Sequence, residues 1–484
     1  MIQRRNRFGY HATECLCPGV HAVQHKETPA MNRRTFIKSA SAGAIVHAGT
    51  VAPASGAGAV ETQSFEEPAR RIAIVDRFDV IVCGGGPAGV CAALGSARRG
   101  ARTLVIERNG CLGGVWTAGL LCWILDGHNK AGIIREITVE LAKRNAAFPN
   151  RGGNQAVAFD AEQMKRVLEE YCTAAGVHVR LNTGVAAAVT DDDGAKLAIT
   201  ESKSGREAWA AAQFIDCTGD GDFAALAQCR YDLGESTDSR TQPMSLLALV
   251  TGVDYDQIAP FVRRNDESGS ATKARLLAEI RRAGLEPSYK HPGLYPIYDN
   301  LFVLMANHEY GASALSASDV TTATLQARKE VHRIVDGLRS LGGVWKDLRI
   351  VATAEQIGVR EGRRIHGRYK ITQDDLIEGK RHHDAVCRVS FGVDVHALRS
   401  EDEDRSYRRG VHSKPYDVPL RALIAKDVRR IMMAGRCISG DFIAHSSYRV
   451  TGNACVTGEA AGNVAALAAL TRRDPSDIDL SELT

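Results

Sequence analysis

After its first segment, the sequence has no long apolar run and almost no net charge. No stretch beyond residue 59 approaches the ~20 uninterrupted apolar residues of a transmembrane helix, so we expect no integral membrane span. Residues 1–59 hold 7 basic and 2 acidic side chains, which leaves 54 basic against 55 acidic ones in the other 425 residues. This balance argues against nucleic acid or an anionic membrane surface as a partner.

Cysteine is present but is not arranged as a metal or redox motif. Ten cysteines follow residue 59: Cys83, Cys91, Cys111, Cys122, Cys172, Cys217, Cys229, Cys387, Cys437 and Cys455. No two of them form a C-x-x-C pair, and the clustered thiolates of an iron–sulfur centre are absent, so we expect neither a cluster nor another metal site. Their apolar neighbours predict buried free thiols, although an oxidising compartment would also permit disulfides.

One stretch organises the rest of the chain: FDVIVCGGGPAGVCAALGSARRGARTLVIE, residues 78–107. Phe78–Cys83 is an apolar run typical of a buried parallel strand, and it ends in glycines. In the pattern G-x-G-x-x-G the first glycine permits a tight turn, the second lets the backbone approach a pyrophosphate, and the third lets the next helix pack on the strand. Gly84, Gly86 and Gly89 hold those places.

A helix, a strand and an acid follow in the expected order. A helix is predicted from Pro87 to about Gly100, with Pro87 and Ala88 in the first turn that faces the phosphates. Thr103–Ile106 predicts the second strand, and Glu107 ends it where a carboxylate accepts hydrogen bonds from a ribose. Because these parts fit within about 30 residues, they predict a dinucleotide-binding unit.

The first 59 residues are typical of a targeting leader. Residues 31–59 resemble a twin-arginine export signal, with an arginine pair in Met31–Lys38 and a small-residue cleavage site at Ala57–Ala59. We expect this leader to be cleaved or disordered, residues 1–30 to precede the true start, and the mature protein to be periplasmic or otherwise extracytoplasmic, exported in folded form. The alternative is a disordered basic tail.

A second glycine-rich piece, RNGCLGGVWTAGL, comes directly after Glu107. With the first motif it resembles the FAD-dependent oxidoreductase family that includes proteins related to the A subunit of heterodisulfide reductase, and more distantly the two-dinucleotide flavoprotein fold. The resemblance covers about Arg71–Thr471 and implies FAD rather than NAD; no second complete fingerprint follows for a nicotinamide cofactor. In this piece it implies FAD contacts at Arg108, Gly113, Gly114 and Thr117.

The segment FIDCTGDGDFAALA nominally contains another G-x-G-x-x-A pattern. Two carboxylates would repel a pyrophosphate there, and no strand with a ribose acid follows. The segment instead matches the family motif that closes the FAD domain, which implies that Asp216, Thr218, Gly219 and Asp220 lie near the FAD ribose and phosphates. Val177–Thr190 and Ala195–Ser202 are predicted strands joined by a turn, and in this fold class the first supplies backbone near the adenine around Val185.

The C-terminal block also resembles the family, with its AGRCIS, H, R and G-x-AAG pattern. A buried strand is predicted to end at Gly435, and a small-residue helix to run to Leu470. The resemblance implies FAD contacts at Gly435, Arg436, Asp441 and Gly458. His445 and Arg449 are further candidates for the substrate side.

Two further segments of the middle region match family motifs. In EQIGVREGRRIHGRYKIT, Arg360 and Arg363 are candidates either to stabilise a reduced flavin or to orient an anionic substrate; the alternative is a basic surface strand. In FGVDVH, Asp394 and His396 would share one face of a strand and form a carboxylate-oriented base. A strand is also predicted at Gln242–Val253.

Together these features predict an α/β protein with a doubly wound, parallel-sheet, Rossmann-like FAD-binding domain, residues 71–232 and 419–484. An inserted α+β substrate domain is predicted at residues 233–418, with helices at Ala271–Gly284 and Thr322–Leu341.

The expected function is that of an exported FAD-dependent dehydrogenase or oxidase. It would transfer a hydride equivalent between a small organic substrate and flavin N5, with a histidine taking the proton. The alternatives are a flavin-bearing electron-transfer subunit of a periplasmic complex and a double-bond reductase. The electron acceptor is not indicated by the sequence.

Overall fold

The computed structural model describes residues 64–149, 156–235, 240–262, 269–402 and 409–483. The predicted leader, residues 1–59, therefore lies outside the described residues. Arg70–Thr484 makes up one compact unit.

The strands within the described ranges are, in chain order, β1 Ile74–Cys83, β2 Thr103–Ile106, β3 Trp123–Ile124, β4 Ala147–Pro149, β5 Val157–Phe159, β6 His178–Arg180, β7 Gly184–Asp191, β8 Gly194–Ser202, β9 Gly205–Asp216, β10 Tyr231–Asp232, β11 Ala248–Thr251, β12 Gly293–Tyr298, β13 Leu301–Met305, β14 Arg349–Thr353, β15 Arg364–Ile365, β16 Ala385–Val389, β17 Tyr416–Pro419 and β18 Ile431–Met433. The α-helices in the same ranges are α1 Pro87–Arg98, α2 Ile133–Lys143, α3 Ala161–Ala174, α4 Asp222–Leu226, α5 Gly269–Arg282, α6 Ala317–Ser340, α7 Gln373–Glu378, α8 Phe442–Tyr448 and α9 Thr451–Thr471.

The main sheet has the strand order β6-β2-β1-β9-β8-β7. The pairs among β6, β2, β1 and β9 are parallel, and β18 joins the last residues of β9 in parallel as well. β8 and β7 extend the sheet as an antiparallel hairpin. Val80, Ile81, Val82 and Cys83 of β1 are fully buried, as expected for a central parallel strand covered on both faces. The predicted parallel-sheet, Rossmann-like fold is confirmed.

The predicted strand Val177–Thr190 is wrong as a single strand. It divides into β6, at one edge of the main sheet beside β2, and β7, at the opposite edge beside β8. The break falls at Asn182, whose φ of +52° lies in the left-handed region and interrupts extended pairing. The strand predicted at Gln242–Val253 is similarly shortened to Ala248–Thr251.

A second, antiparallel sheet has the order β12-β13-β11-β14. Together with α5 and α6 it encloses a separate apolar core that includes Val250, Phe302, Leu276 and Val331. The helices predicted at Ala271–Gly284 and Thr322–Leu341 are present as α5 and α6. This sheet lies within the segment predicted as the substrate domain, whose boundaries stay a prediction.

Helix α9 packs closely along α1 in the core of the main sheet. β-Carbons at Gly458 and Gly462 would overlap the carbonyl oxygens of Ala88 and Ala92, so glycine permits this close approach. Within the described residues α9 alone is long and apolar enough to cross a bilayer, but 56% of its most apolar stretch is buried in the protein. No integral membrane span is evident in the part of the chain that the structure describes.

Candidate active site

Glycines shape the turn between β1 and α1. Gly84 has φ +100°, and a β-carbon there would lie 2.5 Å from the carbonyl oxygen of Cys217. A β-carbon at Gly89 would overlap the carbonyl oxygen of Gly84. At Gly86, in contrast, a β-carbon would meet no atom within 4 Å. Gly86 therefore faces open space beside the α1 N-terminus, where Pro87 begins the helix and the backbone amides favour an anion.

Glu107 is held beside this turn by backbone amides. Its two carboxylate oxygens accept hydrogen bonds from Gly85 N at 2.7 Å and Asn109 N at 2.8 Å. The side chain is only 4% exposed, so the carboxylate is fixed in one orientation. Arg108, the next residue, is exposed.

The second glycine-rich piece packs directly on the first. Gly113 N donates to Gly85 O at 2.8 Å, and a β-carbon on Gly114 would lie 3.1 Å from the α-carbon of Gly86. Thr117 Oγ1 donates to Leu112 O at 2.6 Å and closes the piece on itself. The two predicted glycine motifs therefore meet around Gly86.

Asp216 organises the loop that follows β9. Its carboxylate accepts hydrogen bonds from Thr218 N at 3.0 Å, Thr218 Oγ1 at 2.7 Å and Ala224 N at 2.8 Å. Burial raises the pKa of Asp216 to about 6. In the same loop Asp220 forms a 2.5 Å ion pair with Arg436, whose guanidinium also lies against Gly219.

Arg363 lies with these cofactor candidates. Its Nη1 donates to Asp220 O at 3.0 Å and to the Asp222 carboxylate at 2.9 Å. Its guanidinium lies 5.3 Å from the ring centre of Tyr231. A cleft of about 810 Å³ adjoins these side chains and is lined by Val185 as well. The structure thus separates Arg363 from Arg360.

Arg360, Asp394, His396 and Arg449 do come together. Phe391–His396 is not a strand as predicted, but Asp394 Oδ2 still lies 3.4 Å from His396 Nε2. Arg449 donates through Nη2 to the Asp394 carbonyl at 2.8 Å and through Nη1 to the Arg360 carbonyl at 3.2 Å. Three distant segments therefore converge on one polar cluster.

Gln242 ties this cluster together, and sequence reasoning missed it. Its Oε1 accepts from His396 N at 3.0 Å and from Arg449 Nη2 at 3.1 Å, while its Nε2 donates to Ser446 Oγ at 3.1 Å. Gln242 belongs to no motif, and its strand prediction was itself wrong at this end. Nothing in the sequence signals this contact.

Electrostatics keep His396 neutral and Asp394 ionised. Burial, followed by the charge of Arg360, lowers the pKa of His396 to about 4. Burial alone would raise the pKa of Asp394, but His396, Arg449 and Arg360 outweigh it and hold that pKa well below its usual value. The Asp394 side chain keeps 38% of its surface exposed, whereas the His396 and Arg449 side chains are each 9% exposed.

His445 on α8 stands between the two groups of residues. It is fully buried, and neither ring nitrogen has a hydrogen-bond partner within the described residues. Burial, then the charges of Arg364, Arg449 and Arg436, lowers its pKa well below the usual value. A buried neutral imidazole with two unsatisfied nitrogens fits a side chain that contacts a bound molecule.

The C-terminal glycines and Asp441 make contacts within the chain. A β-carbon on Gly435 would lie 3.0 Å from the Ala88 β-carbon, and Gly458 packs against the same residue, so both bring the block onto the start of α1. Asp441 caps α8 by accepting from Ala444 N at 2.7 Å and also accepts from Gln373 N at 2.6 Å. Its contact with FAD stays a prediction.

These residues fit FAD. Gly86 offers open space for a pyrophosphate, and Glu107 offers a fixed carboxylate for a ribose. The buried Arg436 Nε, which has no hydrogen-bond partner among the described residues, suits a polar ribityl chain. Residues 79–484 match the family described as FAD dependent oxidoreductase. The chain belongs to this family. It is an enzyme that uses FAD.

Solved structures that resemble this oxidoreductase are distant. One is a geranylgeranyl bacteriochlorophyll reductase-like protein from Thermoplasma acidophilum, with 13% identity, a TM-score of 0.45, and coverage of 82% of this chain and 80% of that one. Another is p-nitrophenol 4-monooxygenase from Pseudomonas putida DLL-E4, with 12% identity, a TM-score of 0.43, and coverage of 82% and 80%. Among curated proteins no match is found.

The described part of the oxidoreductase offers no group of three or more His, Cys, Asp or Glu side chains that could hold a metal ion. The ten cysteines after residue 59 are all free thiols, and all but the half-buried Cys111 are buried. Burial raises the pKa of Cys217 and Cys437 well above the usual value, which keeps these thiols protonated.

Proposed function

We propose that this protein is an exported FAD-dependent oxidoreductase that takes a hydride equivalent from a C–H bond of a small organic substrate. The grouping of His396, Asp394, Arg449 and Arg360, with the Asp394 side chain partly exposed, carries the proposal. Asp394 N donates to Ser446 O at 3.1 Å, which joins the cluster to α8, the helix of His445. Burial, then the charges of Arg364, Arg449 and Arg436, lowers the pKa of His445, and Arg436 is a candidate FAD contact.

Each member of the cluster has a separate task. When bound, FAD supplies a two-electron acceptor or donor. Asp394 favours the His396 tautomer with its proton on Nε2, so that Nδ1 carries the lone pair that accepts a substrate proton. Arg449 fixes Asp394 and thereby the imidazole ring. Arg360 supplies positive charge where negative charge develops on the reacting groups.

Within the family we also propose kinship with the members related to the A subunit of heterodisulfide reductase. The glycine-rich piece RNGCLGGVWTAGL supports this kinship, since together with the first glycine motif it resembles the family that includes those members.

The first experiment is a visible spectrum of the protein expressed from Met31 with its signal intact. Pools of alcohols, sugars and amines are then added under anaerobic conditions. Flavin absorption that one pool bleaches would support the proposal and give the substrate class. A yellow protein that no pool bleaches would contradict it and favour an electron-transfer subunit. A folded, colourless protein that refuses added FAD would contradict the cofactor assignment itself.

Export is tested separately. The arginine pair at positions 33 and 34 and the small residues at 57–59 support a twin-arginine route to the periplasm. Replacing Arg33 and Arg34 together by lysine in the full chain should retain the protein in the cytoplasmic fraction. The matched control replaces Arg70 and Arg71 by lysine and should leave export unchanged. The same distribution for both variants would contradict export by this route.

A further inference from the structure

A second histidine stands beside His396 in the substrate region. His308 follows β13 and is 3% exposed. Its ring centre lies 5.0 Å from that of His396, with the planes at 77°. Tyr289 completes the group, with ring centres 4.0 Å from His308 and 6.1 Å from His396. At this edge-to-face spacing, one bridging water molecule would bring a nitrogen of one imidazole within reach of the other.

His308 also makes contact in the direction of solvent. Its Nδ1 lies 3.2 Å from the hydroxyl of Tyr310, a half-buried residue. The backbone is anchored as well: His308 N donates to Ser288 Oγ at 2.9 Å, and this hydroxyl donates to Glu330 at 2.7 Å. The contacts thus run from buried His396 through buried His308 to the partly exposed Tyr310.

We propose that His308 and Tyr310 form a proton relay that carries the proton taken by His396 out to solvent. This inference rests on the proposed function. It assigns two positioning residues that act through His396 and that belong to none of the sequence motifs.

The charges around both rings explain why a relay is needed. His396 faces Arg360, Asp394 and Arg449, and its pKa of about 4 means that it cannot hold a proton at neutral pH. Burial, then the charges of Arg360, His396, His291 and Lys273, lowers the pKa of His308 well below its usual value too. Each ring is therefore neutral at rest, with one nitrogen to accept a proton and one N–H to give.

The proposed reaction is the two-electron oxidation of an alcohol or an amine. The substrate loses a hydride equivalent to bound FAD and its heteroatom proton to His396, and a carbon–heteroatom double bond forms. His396 returns to its neutral form by passing the proton to His308. His308 takes it at one nitrogen and releases a proton from Nδ1 to the Tyr310 hydroxyl, which passes its own to water.

The test uses the FAD-loaded full-length protein and the variants His308→Gln, His308→Ala and Tyr310→Phe. Tyr298→Phe is the matched control, since this half-buried tyrosine donates to Asp160 at 2.8 Å instead. One measurement needs no substrate: the ¹⁵N resonances of His396 report its tautomer and its titration. The other is the pH profile of flavin reduction by the substrate pool that bleaches the wild type.

We expect all variants to retain FAD. The His396 resonances should change in His308→Gln and Tyr310→Phe but not in Tyr298→Phe. Reduction should slow about tenfold or more in the two relay variants, with a changed pH profile, and added imidazole should restore part of the rate of His308→Ala.

His396 resonances identical to wild type in both relay variants would overturn the relay. Reduction rates within twofold of wild type with the same pH profile would overturn it as well. If no pool reduces the flavin, the proposed function fails, and the ¹⁵N measurement alone then supports or overturns the relay contact.

Discussion

A β-carbon on Gly89 would overlap the carbonyl oxygen of Gly84, whereas one on Gly86 would meet no atom within 4 Å. The close approach of Gly89 to Gly84 serves the fold, because it determines how closely α1 packs on the end of β1. The open space at Gly86 serves ligand binding instead, because a pyrophosphate binds in open space beside a helix N-terminus.

Gly89→Ala and Gly86→Ala should therefore fail in different ways. Gly89→Ala forces backbone apart and should lower the free energy of unfolding by about 3 kcal/mol. Gly86→Ala should leave the free energy of unfolding within about 0.5 kcal/mol of the wild-type value, since the φ of −71° at Gly86 suits alanine. The same substitution should weaken FAD binding at least about tenfold. Denaturant unfolding and FAD titration of the two apoproteins measure this contrast. Equal FAD affinity in Gly86→Ala and wild type would contradict it.

Glu107→Ala should weaken FAD binding by about 10- to 100-fold, the cost of hydrogen bonds to a charged group. The carboxylate is buried and fixed by Gly85 N and Asn109 N, so no neighbour replaces it. Isothermal titration of the apoprotein with FAD measures the effect. Glu162→Ala, at a side chain that is 75% exposed, is the control and should bind FAD as wild type does.

Arg363→Gln and Arg360→Gln should separate cofactor binding from substrate reaction. Arg363 bonds to Asp220 and Asp222, so its loss should reduce the fraction of protein that retains FAD. Arg360 lies by the His396 cluster, so its loss should slow reduction by substrate and spare FAD content. FAD stoichiometry after gel filtration and anaerobic stopped-flow reduction give the two readouts. Loss of FAD in both variants to the same degree would show that the two arginines are not functionally separate.

His396→Asn should lower turnover by about 10²- to 10⁴-fold without loss of FAD, because a positioned general base is removed. Asp394→Asn should cost less, since the base remains but its tautomer is no longer favoured. Steady-state rates on flavin-loaded protein decide this. Unchanged turnover in His396→Asn would remove this residue from the reaction.

His396 also predicts a pH dependence of stability. Its pKa falls from the ordinary 6.5 to about 4 on folding, so the unfolded chain binds more protons between these values. Stability should therefore fall as pH drops from 6.5 towards 4, by about 3 kcal/mol at the end of this window. His396→Asn should lack this loss.

Denaturant unfolding at several pH values from 7.5 to 4 compares this variant with wild type. The control is His383→Asn, at a side chain that is 85% exposed. Parallel stability curves for wild type and His396→Asn across the window would contradict the prediction.

The sequence by itself determined the FAD-binding end of this protein. β1, the glycine turn, α1, β2 and Glu107 follow one another without interruption, and each local conformation depends on residues close along the chain. Their bounds agree with the prediction to within a few residues. The local pattern did not predict the break at Asn182, where the chain passes from β6 at one edge of the sheet to β7 at the other. The residues on both sides of the break are equally typical of a strand.

Only the tertiary structure decided the candidate substrate site. Arg360 and Arg363 are three residues apart and were candidates for one role, yet their guanidinium groups contact different loops. His308 and Gln242 belong to no motif and meet His396 across 88 and 154 positions of sequence. Such contacts depend on how the second sheet, α8 and the 391–396 segment pack together, and no local spacing of residues encodes that packing.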